Sequence, residues 1–196
     1  MKKLITIGML ASFGAAAQAV TLVLAVDLGG AGSYAGYGNA LNFMQTVNLD
    51  TYFGFDYSGY TLTGIGYEDA EWTTENGSYL EEIIFSVETS DGSAYFDNQL
   101  FPGQGAPGVA TIDSAGGFGL PLAGTGVGGG STAFTVLPDD TVNVLLYETF
   151  NDAGAARDGV FSAGSKAYVR FEAVPEPATM AALGLGVAAL LRRRKK

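Results

Sequence analysis

The sequence predicts an all-β protein: an antiparallel β-sandwich of jelly-roll type, flanked by a signal peptide and a single C-terminal hydrophobic helix. Two observations predict the sandwich. Apolar residues recur at every second position in several segments, as in strands with one buried face. Glycine and Asp/Asn clusters separate these segments at the spacing that is typical of sandwiches and barrels. Between residues 20 and 174, no segment sustains the 3.6-residue period of an amphipathic helix.

The N-terminal end has the three parts of a secretory signal peptide. Lysines at positions 2 and 3 precede an apolar run over residues 4–17, and Ala17-Gln18-Ala19 follows. A positive segment, an apolar segment and a small-x-small site are what a signal peptidase recognises. We therefore assign residues 1–19 to a signal peptide that is cut after Ala19, which leaves Val20 as the mature N-terminus.

Residues 20–174 form the predicted β-sandwich domain. The predicted strands are residues 20–28, 61–67, 83–87, 131–137, 142–150 and 166–172. In the strand at 83–87, apolar residues alternate with polar or exposed partners, and the strand ends at the Asp91-Gly92 turn. In the strand at 142–150, one face carries Val142, Val144, Leu146 and Phe150, with Glu148 as a polar exception.

The C-terminal end combines a proline pair, an apolar run and a basic tail. Pro175-Glu176-Pro177 marks a boundary, because two prolines two residues apart disfavour both strand and helix. The uncharged residues 178–191 form a predicted helix of roughly 21 Å, shorter than a bilayer core of about 30 Å. A cluster of five cations follows and predicts that the tail remains in the cytoplasm: Arg192, Arg193, Arg194, Lys195 and Lys196.

This C-terminal pattern resembles the PEP-CTERM sorting signal, which occurs on exported proteins of Gram-negative bacteria that make exopolysaccharide. The resemblance covers residues 174–196 and implies that Pro175, Glu176 and Pro177 are read by an exosortase, a membrane enzyme that cuts near the motif. It further implies that the helix anchors the chain transiently, that the basic cluster stops transfer, and that the released domain reaches the cell surface or the medium. The domain itself loosely resembles galactose-binding-like jelly rolls.

Composition restricts the kinds of chemistry that the domain can carry. The chain has no Cys and no His, which excludes disulfides, zinc fingers and Ser-His or Cys-His nucleophile pairs. The termini hold seven of the ten cations, so residues 20–174 keep 3 cations against 19 acids, a net charge of −16. This charge disfavours nucleic acids and anionic lipids, and it favours neutral glycans or divalent cations as partners.

Acidic and aromatic residues supply the candidate binding sites, although no metal ligand can be assigned from the sequence. The acidic groups are Glu68, Asp69 and Glu71; Asp97 with Asn98; Asp139 with Asp140; and Asp152 with Asp158. They predict either a structural calcium ion or solvated acidic loops. The aromatic residues predict either sugar contacts or core packing: Tyr34, Tyr37, Tyr52, Phe53, Phe55, Tyr57, Tyr60 and Trp72. Residues 124–129 fit G-x-G-x-x-G, but they lie within a predicted loop at 115–130 with no helix after it.

These observations predict an exported, non-enzymatic protein of the envelope or extracellular matrix, with no catalytic residue assigned. Its expected partners are a signal peptidase, an exosortase-type membrane enzyme and the exopolysaccharide. A carbohydrate-binding module acting on exopolysaccharide is the first alternative. A small glycan-acting enzyme, which would need two carboxylates converging in one cleft, is the second. No cofactor is predicted apart from the structural calcium alternative.

Overall fold

The computed structural model describes residues 19–54, 57–114, 120–121, 136, 139–150 and 155–175. The strands within these ranges are β1 (Val20–Asp27), β2 (Gly32–Ser33), β3 (Met44–Asn48), β4 (Tyr57–Glu68), β5 (Ala70–Thr74), β6 (Ile83–Thr89), β7 (Tyr95–Gln99), β8 (Val109–Ile112), β9 (Leu120–Pro121), β10 (Thr141–Glu148), β11 (Gly159–Phe161) and β12 (Lys166–Pro175). A short helix, α1 (Leu49–Phe53), and a 3₁₀ turn (Leu80–Glu82) complete the described elements.

The strands form three antiparallel sheets of four strands each. Their orders are β1-β12-β4-β9, β2-β11-β5-β8 and β3-β10-β6-β7. The strands of the first two sheets occupy matching positions in these orders. The chain passes directly from β4 into β5 through Asp69, and from β11 into β12 through a short turn. We therefore describe them as two parts of one bent layer, and the β3-β10-β6-β7 sheet as the third sheet.

The bent layer and the third sheet share one hydrophobic core. Alternate residues of β12 and β10 are fully buried within it: Ala167, Val169 and Phe171 on β12, and Val142, Val144 and Leu146 on β10. Tyr67 of β4 meets Phe85 of β6 edge to face, with ring centroids 5.6 Å apart, so the two layers contact each other directly. The alternating pattern in the sequence thus marks the residues that point inward.

A glycine allows the closest packing within the bent layer. The indole of Trp72 on β5 lies against β11, and a Cβ atom at Gly159 would be only 2.3 Å from Trp72 Cζ2. Any larger residue at this position would therefore have to displace the buried indole. Trp72 also packs against Phe161 with ring centroids 4.9 Å apart.

The predicted all-β antiparallel class is confirmed, as are several of its strands. The predictions at 20–28, 61–67, 83–87 and 166–172 fall on β1, β4, β6 and β12. The chain turns at Asp91-Gly92 after β6 as predicted, and Gly92 adopts the left-handed φ of 68° that such a turn requires. Of the strand predicted at 131–137, only Val136 is described: it is buried, and its backbone N–H donates to Tyr60 O at 2.7 Å. The rest of that segment and most of the loop predicted at 115–130 lie outside the described residues.

Three details differ from the sequence predictions. The polar or exposed partners expected in β6 are buried, and Tyr37 from the chain before β3 lies over this face, with its hydroxyl on Glu88 and its ring against Tyr147. Phe150 was expected on the inward face, but β10 ends at Glu148 and the Phe150 ring is 67 % exposed. The short helix α1 was also missed. Asn48 caps the start of this helix, because its side chain accepts a hydrogen bond from Thr51 N. Gly54 caps the end of the helix with a left-handed φ.

Candidate functional site

The last strand of the domain leads directly into the predicted sorting signal. β12 is a central strand of its sheet, paired with β1 on one side and β4 on the other. Ala173 pairs with Val20 and Tyr60, and Pro175 is the last paired residue, opposite Tyr57. The strand therefore extends one residue past the predicted boundary. A proline is tolerated there because it occupies the strand end, beyond a register shift.

The two predicted processing points lie at the same end of this sheet. Val20, the predicted mature N-terminus, is the first residue of β1 and lies opposite Ala173, two residues before Pro175. Ala19 is exposed immediately before β1. Ala17, Glu176, Pro177, the helix predicted at 178–191 and the basic cluster at 192–196 lie outside the described residues. Within the ranges that are described, neither helical segment has the length and apolar character that a bilayer span requires.

A second candidate site is a cleft on the outer face of the third sheet. Glu88 on β6 lies opposite Tyr95 on β7 and Asn143 on β10, so the three side chains share one face. Asp97 and Tyr147 fall on the same face at neighbouring rungs. The other face of this sheet contributes Phe85 and Val87 to the core. The face with Glu88 is therefore not used for core packing by these residues and can carry a binding site.

Tyr37, from the segment between β2 and β3, divides the cleft into two hollows. The first has a volume of about 290 Å³ and is lined by Tyr37, Glu88, Gly92, Tyr95, Asp97 and Tyr147. The second has a volume of about 330 Å³, contains Tyr37 and Glu88 again, and is otherwise lined by residues 38–40, 42–44 and 145. Each hollow is at the lower end of the size range of ligand pockets, about 300–1,000 Å³. We call these two hollows the tyrosine cleft.

Hydrogen bonds fix the polar side chains of the tyrosine cleft. The Tyr37 hydroxyl donates to Glu88 Oε2 at 2.7 Å, and Asn143 Nδ2 donates to Glu88 Oε1 at 3.3 Å. Tyr147 and Asp97 line the same hollow. The rings of Tyr37 and Tyr147 meet edge to face with centroids 5.5 Å apart. The cleft therefore combines oriented carboxylates with an aromatic ring, Tyr37, that is 62 % exposed.

The carboxylates change the acidity of the neighbouring phenols. The hydrogen bond to Glu88 is the main reason that the pKa of Tyr37 rises to about 12, with desolvation second. Burial, followed by the nearby Asp97 carboxylate, raises the pKa of Tyr147 well above its usual value. Both phenols therefore keep their protons to a higher pH than an ordinary tyrosine does, and their hydroxyls remain hydrogen-bond donors at neutral pH.

The acidic groups singled out from the sequence are mostly held by protein partners. Glu68 accepts hydrogen bonds from Tyr168 and Lys166, and both interactions lower the pKa of Glu68. Glu71 accepts from Ser162, while Asp139 accepts from Ser90. Asp152 lies outside the described residues. No three potential ligands are grouped for a metal in the part of the chain that the structure describes. The calcium alternative remains a prediction.

The predicted aromatic residues divide between the core and the surface. Tyr60 and Trp72 are fully buried, as the packing interpretation predicts, whereas Tyr37 and Tyr52 are exposed. Phe55 and the side chain of Tyr57 lie outside what is described. Sequence reasoning missed Tyr95, Tyr147 and Glu88 as site residues. Their shared face follows from the period of two, but the covering segment around Tyr37 could not be anticipated.

Comparison with known protein families gives a match at the C-terminal end of the chain. Residues 173–195 match a family described as the PEP-CTERM protein-sorting motif. No curated protein and no solved structure is significantly similar to the chain. The motif starts at Ala173, which is buried and paired on both sides within β12. The C-terminal segment of this chain is thus a PEP-CTERM protein-sorting motif that begins inside the β-domain.

Proposed function

We propose that this chain is a non-enzymatic protein of the cell envelope or extracellular matrix, delivered by exosortase processing at its C-terminus. The PEP-CTERM motif indicates a protein that exosortase sorts to the envelope. The finer parts of the proposal are a Gram-negative cell, transient anchorage in the inner membrane, and release to the surface or medium. The domain would be an antiparallel β-sandwich of jelly-roll type.

The observation that carries this proposal is the direct junction between domain and motif. The strand that ends at Pro175 is paired on both sides, so the sheet holds the chain up to the motif itself. A cut near Pro175 would separate the domain from the hydrophobic segment and leave the core residues of β12 in place. Delivery would therefore release a folded domain.

Two alternatives for the domain remain in the proposal. A carbohydrate-binding module is favoured by one observation, the exposed tyrosine above two carboxylates in the tyrosine cleft. A small glycan-acting enzyme also needs two carboxylates in one cleft, and Glu88 and Asp97 lie in one cleft. We favour binding because the Glu88 carboxylate already accepts hydrogen bonds from Tyr37 and Asn143.

The test is fractionation of native cells that express the wild-type chain or variants in the motif. Glu176→Gln and Pro177→Ala should increase the share of protein in the membrane fraction, because exosortase would no longer cut. Glu172→Gln removes the nearest preceding acid, an exposed residue of β12 outside the motif, and should leave the distribution unchanged. Identical fractionation of all four proteins would contradict sorting through this motif.

A further inference from the structure

The tyrosine cleft exposes a side chain held in a fixed orientation, on a face of the sheet where most neighbouring side chains are buried. The outer face of β6 is covered almost everywhere, and Ile84 and Ser86 are nearly inaccessible. Tyr37 is an exception to this burial, with 62 % of its surface exposed although its hydroxyl is anchored on Glu88. An anchored hydroxyl fixes the ring, so its exposed surface is presented in one orientation and loses little entropy on binding.

The chemistry of the cleft suits a sugar ring. The apolar C–H face of a pyranose packs on an aromatic ring, while its hydroxyls need acceptors that are already oriented. A carboxylate has about four lone-pair sites, and the hydrogen bonds to Glu88 from Tyr37 and Asn143 use only some of them. Glu88 can therefore still accept hydrogen bonds from hydroxyls at the cleft, and Asp97, which lines the first hollow, supplies a second carboxylate acceptor.

The charge of the cleft determines which glycans fit. The residues that line the two hollows include two acids and no Lys or Arg, in the part of the chain that is described. The domain's three cations are engaged elsewhere: Arg157 with Glu75, Lys166 with Glu68, and Arg170 with Thr63. An anionic sugar would meet uncompensated repulsion here, whereas a neutral sugar would not.

We propose that the tyrosine cleft binds a neutral glycan chain, with the Tyr37 ring stacked on one sugar and the Glu88 and Asp97 carboxylates accepting hydrogen bonds from its hydroxyls. This inference deepens the carbohydrate-binding alternative of the proposed function. It does not depend on exosortase processing, because the cleft belongs to the third sheet and the sorting junction to the bent layer. Its failure would leave the fractionation result untouched.

The experiment uses the full-length chain in a zwitterionic detergent without a sugar headgroup, with ¹³C-labelled tyrosine rings observed by NMR. Neutral hexasaccharides (cello-, malto- and laminarihexaose) are titrated to about 10 mM, a range that detects even millimolar affinity. Hexagalacturonate and a lysine-rich hexapeptide serve as the anionic and cationic probes. We expect saturable shifts of the Tyr37 and Tyr147 rings with at least one neutral probe, and none with hexagalacturonate.

Variants locate the site. Tyr37→Ala should weaken neutral-glycan binding about tenfold or more, which corresponds to about 1.4 kcal/mol. Tyr37→Phe keeps the ring but removes its anchor on Glu88, so it should weaken binding less than Tyr37→Ala does. Asp97→Asn should also weaken binding. Tyr79→Ala is the matched control, because Tyr79 is also exposed, at 42 %, but lines neither hollow. It should bind like the wild type.

Several results would overturn the proposal. These are the absence of shifts with every neutral hexasaccharide, unchanged binding by Tyr37→Ala, or preferential binding of the hexagalacturonate or the lysine-rich peptide. Release of reducing ends from a bound hexasaccharide by the wild type but not by Glu88→Gln would instead show a glycosidase. Competition by neutral polysaccharide extracted from the producing cells identifies a matrix glycan. If the extracted polysaccharide does not compete, the glycan that binds comes from outside the producing cell. Both results support the binding site.

Discussion

At the scale of single residues, the alternation of the sequence predicts which side chains are buried but not which outward-facing side chains form a site. Val142, Val144 and Leu146 are inward residues of β10 and could be assigned from their spacing alone. Tyr147 belongs to the opposite face, where the same spacing gives no sign of a cleft. Its role depends on Tyr37, which is more than a hundred positions away and reaches it only through the tertiary fold.

The hydrogen bond between Tyr37 and Glu88 predicts how the titration of Tyr37 affects the stability of the protein. The raised pKa of about 12 favours the protonated phenol in the folded state, so this pair stabilises the protein below pH 10 and loses its effect as pH rises through 12. Because the hydrogen bond to Glu88 is the main cause, Glu88→Gln should lower the pKa of Tyr37 towards 10.0. The measurement is the ¹³Cζ shift of the Tyr37 ring against pH, assigned with Tyr37→Phe. The exposed acid Asp113 offers a control, since Asp113→Asn should leave the titration unchanged.

At the scale of elements, long strands could be predicted and very short ones could not. β12 shows several repeats of the two-residue period, whereas β2 and β9 have two residues each and therefore no detectable period. These short strands form by pairing with longer neighbours. The helix α1 has only five residues and is likewise too short for a helical period, so its capping residues are its main local signal.

Substitutions on the buried and the exposed face of β12 should have different effects on the free energy of unfolding. Phe171 is fully buried and meets the ring of Tyr60, so Phe171→Ala should lower the free energy of unfolding by about 3–5 kcal/mol. Glu172 lies next in the same strand on the exposed face, and Glu172→Ala should change stability by no more than about 0.5 kcal/mol. Urea unfolding of both variants checks this difference. Equal effects would contradict the inward and outward assignment.

At the scale of the whole molecule, the sequence identifies the sorting motif but not the way in which the motif joins the β-domain. The sorting motif could be identified because its prolines, apolar run and basic cluster follow one another within a short segment. The pairing of Val20 with Ala173 could not, since it joins residues from opposite ends of the chain. This pairing places the predicted signal-peptidase site and the sorting motif at one end of one sheet.

If the β-domain is delivered as proposed, the chain is cut at the junction with its sorting motif. The most direct measurement is the intact mass of the protein recovered from its native cells, together with sequencing of both terminal peptides. We expect a mature chain that begins at Val20 and ends near Pro175, without the hydrophobic segment and the basic cluster. A chain that still ends at Lys196 in the surface and medium fractions would contradict it.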